Sequence, residues 1–472
     1  MRAHARRHGK DIYKSLIAVI ISGNTFFESE IDLKRERYLK PAQIFAIGFG
    51  LIILIGACLL SLPIANKGGR SINFIDALFT ACSATCVTGL AVFDTGSQFT
   101  GFGQAVIITL IQLGGLGFMT FAVLISVAFG RRIGLKERIN ISEALGTGRL
   151  GGMVRLVQRI LYGTLIMEAL AAIILIIRFC FDMPFGKAVW FGIFHSISAF
   201  CNAGFDLLGS SLTGYSADFT INAVVIAMIL LGGLGFVVWD DLLNCGLHFR
   251  KYKLHTKIVL TFSLILIVVP ALLYLITERN GAFAGMEPGE RLLAALFSAV
   301  TPRTAGFSTV MASEYSSGGT LLTEILMIIG ASPGSTGGGI KITTFAVLVI
   351  SIVSYTKGRD DMNFMERRVP GDVRQRALES ALLYIFTLLA GIFAICLAET
   401  APLGDIVFEC ISALSTVGLS MGITAELTVF SKLVLILLMF AGRVGSLTLF
   451  TAVAYLRNDA IIRYPEESVL IG

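Results

Sequence analysis

Apolar stretches of two lengths follow one another along this chain in a fixed order. Long ones at Pro41–Leu62, Gly101–Phe129, Val154–Phe181, Phe219–Val238, Ile258–Ile276, Leu321–Ile352, Ala377–Leu397 and Phe430–Leu456 approach or exceed the roughly 20 residues that cross a bilayer. Short ones at Phe74–Thr85, Val189–Phe200, Leu292–Thr301 and Ile406–Leu414 cannot span, and read as re-entrant or buried helices. Long, short, long recurs four times. Only 15% of the residues are charged, against roughly 25% in a soluble domain, so the chain reads as a multi-pass membrane protein. Lipid cannot satisfy a polar backbone, so whatever non-helical segment follows a short stretch must line a water-filled path or lie packed in protein.

Each short stretch runs into a turn of small residues that ends in glycine and then Leu or Phe. The turns are Cys86-Val87-Thr88-Gly89-Leu90, Cys201-Asn202-Ala203-Gly204-Phe205, Arg303-Thr304-Ala305-Gly306-Phe307 and Ser415-Thr416-Val417-Gly418-Leu419. Their glycines recur about every 110 residues, the signature of a repeated supersecondary unit. Aligned on those glycines, Phe79, Phe194, Leu296 and Phe408 share one register, and Ser83, Ser198, Val300 and Ser412 another. Downstream, Gln112–Phe118 nearly repeats as Leu230–Phe236, which would fall midway along the following helix. The alternative reading is close packing of Gly-rich membrane helices through small faces.

Net charge is +6, and its placement argues topology rather than a nucleic-acid partner. With the N-terminus inside, most Lys and Arg fall in the N-terminal tail, Arg131–Arg159, Arg250–Lys257, Lys357–Arg376 and the C-terminal tail. That bias follows the positive-inside rule and puts both termini in the cytosol. The eight cysteines lie mostly inside apolar stretches and lack the spacing of a transition-metal site, so they read as small buried hydrophobes.

Four loops meeting on one axis would offer a ring of backbone carbonyls, and such a ring replaces the water shell of a cation. The expected K+ ligands are Val87, Thr88 and Gly89; Asn202, Ala203 and Gly204; Thr304, Ala305 and Gly306; and Thr416, Val417 and Gly418. Thr416-Val417-Gly418 matches the opening of the potassium-channel filter. The short helices would aim their partly negative C-terminal ends at the ion. Asp94 and Asp206, just beyond two of the glycines, are candidates for the mouth of the path.

The third repeat departs from the others. Gly330-Ala331-Ser332-Pro333-Gly334-Ser335-Thr336-Gly337-Gly338-Gly339 cannot continue a helix, yet apolar residues flank it at mid-membrane depth. It reads as an intramembrane gate under the loops. Arg443 lies inside the last long stretch, where an ionisable residue costs a few kcal/mol and marks function by default. It is expected to form an electrostatic barrier or to hold the gate loop through its carbonyls. Lys341 sits nearer the cytosol and is expected to snorkel.

Together these residues resemble the Trk/Ktr/HKT superfamily of potassium transporters over about residues 41–472. Leu110–Ala122 and Ala299–Phe307 look like the membrane subunit of bacterial Ktr systems, of the KtrB or KtrD type. The Trk branch carries two more N-terminal spans, for which there is no room before Pro41. The plant branch often has Ser for the first loop glycine, so Gly89 favours potassium over sodium. Cys86 and Cys201 stand where the family carries polar Thr or Asn. The resemblance implies a homodimer on a cytosolic ring of RCK-type regulatory subunits (KtrA or KtrC-like) that bind ATP or ADP. It also implies sodium-stimulated uptake. No phosphate-binding glycine loop is found in this chain, so nucleotide would bind the partner, and no cofactor is expected here beyond the transported K+.

The expectation is an all-α polytopic protein of the cell membrane: four tandem helix–pore loop–helix repeats, with eight spanning helices and four re-entrant pore helices around one pore of pseudo-fourfold symmetry. Residues 1–40 and 458–472 would be cytosolic tails. The repeats would cover 41–130, 154–242, 256–357 (with the gate loop 330–339) and 373–457. The function would be channel-like K+ import; a secondary cation symporter with a midplane site is the alternative. An intramembrane enzyme is not expected, because paired carboxylates, an HExxH helix and a Ser/His set are lacking, and His195 stands alone.

Overall fold

The computed structural model describes residues 41–117, 153–246, 248–359 and 361–445, together with Pro465 and Glu467. The expected N-terminal tail, the first repeat beyond Gly117, the fourth beyond Gly445 and the rest of the C-terminal tail lie outside the described residues.

Four units follow in order. The first has α1 (Pro41–Ser61), α2 (Phe74–Thr85), a short α3 (Thr95–Gln98) and α4 (Gly101–Leu116). The second has α5 (Met153–Phe179), α6 (Phe185–Cys201), α7 (Phe219–Gly233) and α8 (Phe236–Cys245). The third has α9 (Leu254–Thr277), α10 (Pro288–Val300), α11 (Ser317–Ile328) and α12 (Ile342–Thr356). A two-stranded hairpin, β1 (Met362–Phe364) and β2 (Arg367–Val369), leads to the fourth: α13 (Gly371–Cys396), α14 (Leu403–Ser415) and α15 (Val429–Val444). Met365 and Glu366, both at positive φ, make the two-residue turn that matches the twist of the strands.

The first helix of each unit is long and apolar enough to cross a membrane: Gln43–Ser61, Val157–Phe179, Leu254–Thr277 and Gly371–Cys396. The short helix α2 begins at Phe74, where its apolar run does, whereas α6, α10 and α14 begin about a turn earlier than theirs. Their starts are set by chemistry that hydropathy ignores. The Asn73 side chain accepts from Ile75 N–H, Pro184 and Pro402 hold the N-cap positions, and Pro288 opens α10.

The second helices are shorter than the apolar stretches that hold them. The Gly-Gly-Leu-Gly stretches do not sit inside a helix; they end one. α4 stops at Gly117 (φ 80°, ψ 133°), α7 gives way at Gly235 (φ 88°, ψ 142°) and α15 stops at Gly445 (φ 90°, ψ 125°). Those dihedrals suit glycine and are closed to most side chains. After Gly235 the chain turns by 97° into α8. The third unit breaks more widely, between Ile328 and Ile342. Among the described residues, the second helix therefore ends at this level in all four units.

Packing closes on itself. Each second helix lies against the short helix of the next unit: α4 on α6, α7 on α10, α11 on α14 and α15 on α2. It also lies on the short helix of its own unit in the first, second and fourth, with glycine at the contact. A Cβ on Gly114 would meet the Thr85 carbonyl oxygen, one on Gly232 that of Phe200, and one on Gly442 that of Leu414, each under 3.0 Å. Thr85, Phe200 and Leu414 stand at the same position, four residues before their loop glycines. The core around this contact holds Phe79, Phe194, Phe297 and Phe408, all fully buried.

These contacts leave no room for a methyl group. Gly232→Ala and Gly442→Ala should each destabilise the protein by about 1–3 kcal/mol through overpacking, read as a lower unfolding midpoint in detergent. Gly163→Ala, facing open space on α5, should leave the midpoint unchanged.

Candidate functional site

The four loops share one backbone form. Each short helix is followed, within four residues, by a residue at positive φ: Val87 (58°), Asn202 (59°), Thr304 (75°) and Thr416 (53°). Two residues on comes a positive-φ glycine: Gly89 (93°), Gly204 (68°), Gly306 (75°) and Gly418 (95°). Asn tolerates the left-handed region, but for β-branched Val and Thr it is strained. Such strain persists only where the surroundings over-determine it. Thr88, Ala203 and Val417 donate their N–H to the carbonyl five residues back, at Ser83, Ser198 and Ser412, each at 2.8 Å.

In the third unit Ala305 N–H reaches only four back, to Thr301, at 2.9 Å. The turn there is one residue shorter. This corrects the alignment that paired Leu296 and Val300 with the other units. The structural counterparts are Phe297, fully buried where Leu296 is not, and Thr301. Thr301 Oγ1 bonds the Phe307 carbonyl just as Ser198 Oγ bonds that of Phe205 (2.8 Å). In the first and fourth units the serine accepts instead: Gly89 N–H donates to Ser83 Oγ (3.1 Å) and Gly418 N–H to Ser412 Oγ (3.0 Å). These small residues do more than permit close approach; they brace the loops.

The loops touch in a closed cycle. A Cβ on Gly89 would meet the Ala203 carbonyl oxygen, on Gly204 that of Ala305, on Gly306 that of Val417 and on Gly418 that of Thr88, all under 3.0 Å. The twelve residues named from the sequence are thus brought together, one loop against the next. Among the described residues, the buried hydroxyls of Thr85, Thr88 and Thr416 have no hydrogen-bond partner. Spare oxygens of this kind, beside converging carbonyls, suit a monovalent cation. Asn202 differs: turned with its amide nitrogen toward the carbonyls of Ala199 (3.0 Å) and Ile229 (3.3 Å), it is tied into the scaffold.

Beneath the cycle runs the strand 330–339. A Cβ on Gly337 would collide with Thr304 Oγ1, and one on Gly338 with Thr416 Oγ1, so the strand passes directly against two of the loops. Gly330 N–H to Ile340 O (2.9 Å) and Ile342 N–H to Ala331 O (3.2 Å) draw its neck together. Three backbone bonds clip it to the break in the second unit: Ser332 N–H to Gly233 O (3.1 Å), Thr336 N–H to Gly232 O (3.3 Å) and Phe236 N–H to Gly334 O (2.9 Å). The frayed end of α7 and the strand satisfy one another, which resolves how a polar backbone survives at this depth.

Arg443 grips the same strand. Its guanidinium donates to the carbonyls of Thr336 in the strand and of Gly114 and Gly115 (3.0 Å) at the end of α4. One side chain of the fourth unit thereby ties the third to the first. Lys341 does not snorkel as its position suggested. Its ammonium turns back to the Gly337 carbonyl (2.7 Å), next to the one Arg443 holds. Two cations on consecutive carbonyls fix the strand.

Glu409 on α14 was missed, although it is the one carboxylate in the apolar second half of that helix. It is buried and accepts from Ser420 Oγ, Met421 N–H (3.2 Å) and Thr424 Oγ1 (3.0 Å), holding the segment beyond Gly418. Arg303 is buried behind the third loop and bonds Ser263 Oγ (3.1 Å). Of the acidic candidates, Asp94 caps α3 through Gly96 and Ser97 N–H, and Asp206 accepts from Leu208 and Gly209 N–H. Asp76 pairs with Lys432 (2.9 Å) and Asp218 with Arg178 (2.5 Å), so part of the acidity is neutralised locally. His195 lies among Phe179, Phe191, Phe194 and Phe307, its Nδ1 on the Phe191 carbonyl, as a packed core residue.

Comparison with known proteins points one way. The sequence profile of TrkH, described as a cation transport protein, matches residues 51–464. The chain is 43% identical over 449 residues to the Ktr system potassium uptake protein B of Bacillus subtilis, covering 94% of this chain and 100% of that one. It is 40% identical over 448 residues to the potassium/sodium uptake protein NtpJ of Enterococcus hirae, covering 93% and 98%. The crystal structure of the potassium transporter TrkH from Vibrio parahaemolyticus has the same fold, with a TM-score of 0.72 at 19% identity over 89% of this chain and 86% of that one.

Removing the serine braces should loosen the loops without touching their carbonyls. Ser83→Ala and Ser412→Ala each leave a glycine N–H without its acceptor, a loss of about 1–3 kcal/mol. Thermal unfolding of the purified variants measures it.

Proposed function

The chain belongs to the TrkH family of cation transport proteins, and on that premise we propose that it is the ion-translocating membrane subunit of a potassium uptake system. Its four units form tandem repeats around one pore of approximate fourfold symmetry. The observation that carries this reading is the closed cycle of loop glycines, each against the next loop's carbonyl, with a positive-φ residue before each.

Alternating left-handed and ordinary residues turn successive carbonyls toward one side, where they replace water around a dehydrated K+. The short helices end at Thr85, Cys201, Val300 and Ser415, and their partly negative ends favour a cation there. Binding at residues 87–89, 202–204, 304–306 and 416–418 makes the path selective, and passive flow through it is channel-like. Sodium stimulation, as in the family, acts on this flow.

The strand 330–339 is the gate. It lies across the route beneath Thr304 and Thr416, and opening requires Thr336 and Gly337 to leave Arg443 and Lys341. While it holds the strand, Arg443 also keeps its positive charge at that depth, so the guanidinium repels cations while the gate is shut. The membrane subunit pairs as a homodimer in the cell membrane, both termini cytosolic. A cytosolic ring of RCK-type subunits binding ATP or ADP drives the strand.

Two measurements test this. Gly306→Ser and Gly418→Ser place a side chain against Val417 O and Thr88 O. They should cut the preference for K+ over Na+ by about tenfold, the ratio equivalent to 1.4 kcal/mol. Unchanged K+ affinity of both variants in uptake assays rules out the loop assignment. Shortening 330–339, or Arg443→Gln, should raise uptake in the absence of the regulatory subunit. If the shortened protein assembles and its flux is unaltered, the gate assignment is wrong.

A further inference from the structure

Two thiols lie side by side directly behind the first loop. Cys82 and Cys86 occupy successive turns at the end of α2, both fully buried, with their Sγ atoms 3.8 Å apart. Cys82 Sγ also faces the carbonyl of Ile436 on α15 at 3.6 Å. Val87, the strained residue that starts the loop, follows Cys86 immediately, and the Thr88 carbonyl of the cycle comes next.

A disulfide does not suit this pair. Positions four apart on a helix hold their Cβ atoms about 5–6 Å apart, whereas a disulfide needs about 3.5–4.5 Å. The Cys86 N–H bond to Cys82 O (2.7 Å) keeps that helical turn closed. Zinc does not suit it either, since a structural zinc site takes four donors. Among the described residues no cluster of three or more His, Cys, Asp or Glu side chains stands ready to hold a metal. A soft monovalent cation has neither requirement. Cu+ and Ag+ prefer thiolate and bind with few ligands, and two metal–sulfur bonds of about 2.3 Å reach across the gap of 3.8 Å.

We propose that Cys82 and Cys86 form a two-thiol site for a soft monovalent cation, Cu+ or Ag+, whose occupancy blocks transport. The ion bonds to both sulfurs and one thiol gives up its proton to solvent, leaving a neutral unit of one metal cation, one thiolate and one thiol. No charge is stranded in the buried site and no electron is transferred. The Ile436 carbonyl offers a weak third ligand. Two bonds of about 2.3 Å set in line would hold the sulfurs about 4.6 Å apart, so the ion pushes Cys86 away from Cys82 and onto Val87, which has no spare conformational freedom at φ 58°, and so displaces the Thr88 carbonyl from the cycle. Access from outside rests on the pore reading above: a monovalent cation shedding its water at the loops arrives two residues from Cys86.

The test uses the full chain with the exposed Cys58, Cys180 and Cys396 replaced by Ala, titrated with Ag+ in detergent by calorimetry and by sulfur-to-metal ultraviolet absorption. One Ag+ per chain is expected, bound at least tenfold more weakly in Cys82→Ala and in Cys86→Ala but not in Cys201→Ala, which removes another buried thiol. Equal affinity in all four proteins overturns the site. In vesicles, Ag+ should inhibit K+ uptake at a concentration at least tenfold lower for the background protein than for Cys82→Ala, each compared with its own silver-free flux. External K+ should protect. Silver bound at the pair with undiminished uptake overturns the blocking role. Absence of K+ uptake before silver is added would instead count against the transport reading, while the titration in detergent still decides the site.

Discussion

Everything around the four loops depends on a contact between backbones: the second helix of a unit pressed, through a glycine, onto the last carbonyls of that unit's short helix. Gly114 on Thr85, Gly232 on Phe200 and Gly442 on Leu414 are the same contact made three times. It sets how far inward a short helix reaches, and so where its loop begins. Because a carbonyl is the partner, no rotamer change can relieve a larger residue. The loops in turn have no regular structure of their own. Val87, Thr304 and Thr416 keep unfavourable dihedrals because the ends of the helices and the neighbouring loops leave no alternative.

The third unit shows what happens when that contact is given up. Gly330 stands where the others place their packing glycine, but its close neighbour is Gly338 of its own loop rather than the short helix. The helix has unwound, and its polar groups are taken by the second unit's broken end, by Lys341 and by Arg443. Gly232 serves both roles at once, packing on the short helix and lending its carbonyl to the strand, while Gly233 lends a second carbonyl. Order beneath the loops is therefore shared among units, with Arg443 joining three of them through three carbonyls.

Much of this was legible in the sequence because hydropathy and glycine both report on backbone. Stretch lengths located the short helices, and the glycine spacing located the loops, since few other residues adopt those dihedrals. The composition of 330–339 excluded a helix. What was not legible depended on side-chain reach and on single-residue phase. Lys341 reads as a snorkelling residue by depth, yet the nearest acceptor is a carbonyl one turn back. The shorter turn before Ala305 leaves no mark in composition, so alignment on the glycine misassigned Leu296 and Val300. The Gly-Gly-Leu-Gly stretches invited a packing motif inside a helix, whereas the last glycine of each ends it. Glu409 stood out as an isolated acid in an apolar run, and only its three donors explain it.

The shorter turn before Ala305 has a consequence for the molecule as a whole. In an assembly of four identical subunits, any residue gained or lost beside the axis is gained or lost four times. Here the four quarters are written separately in one chain, so each can drift alone. That independence permits one quarter to give up its helix between Ile328 and Ile342 for an extended segment while the cycle of loops keeps its shape. It also means that the quarters are no longer interchangeable. A loop transplanted from the fourth position to the third would arrive out of phase by one peptide, even if every atom of it were otherwise suitable.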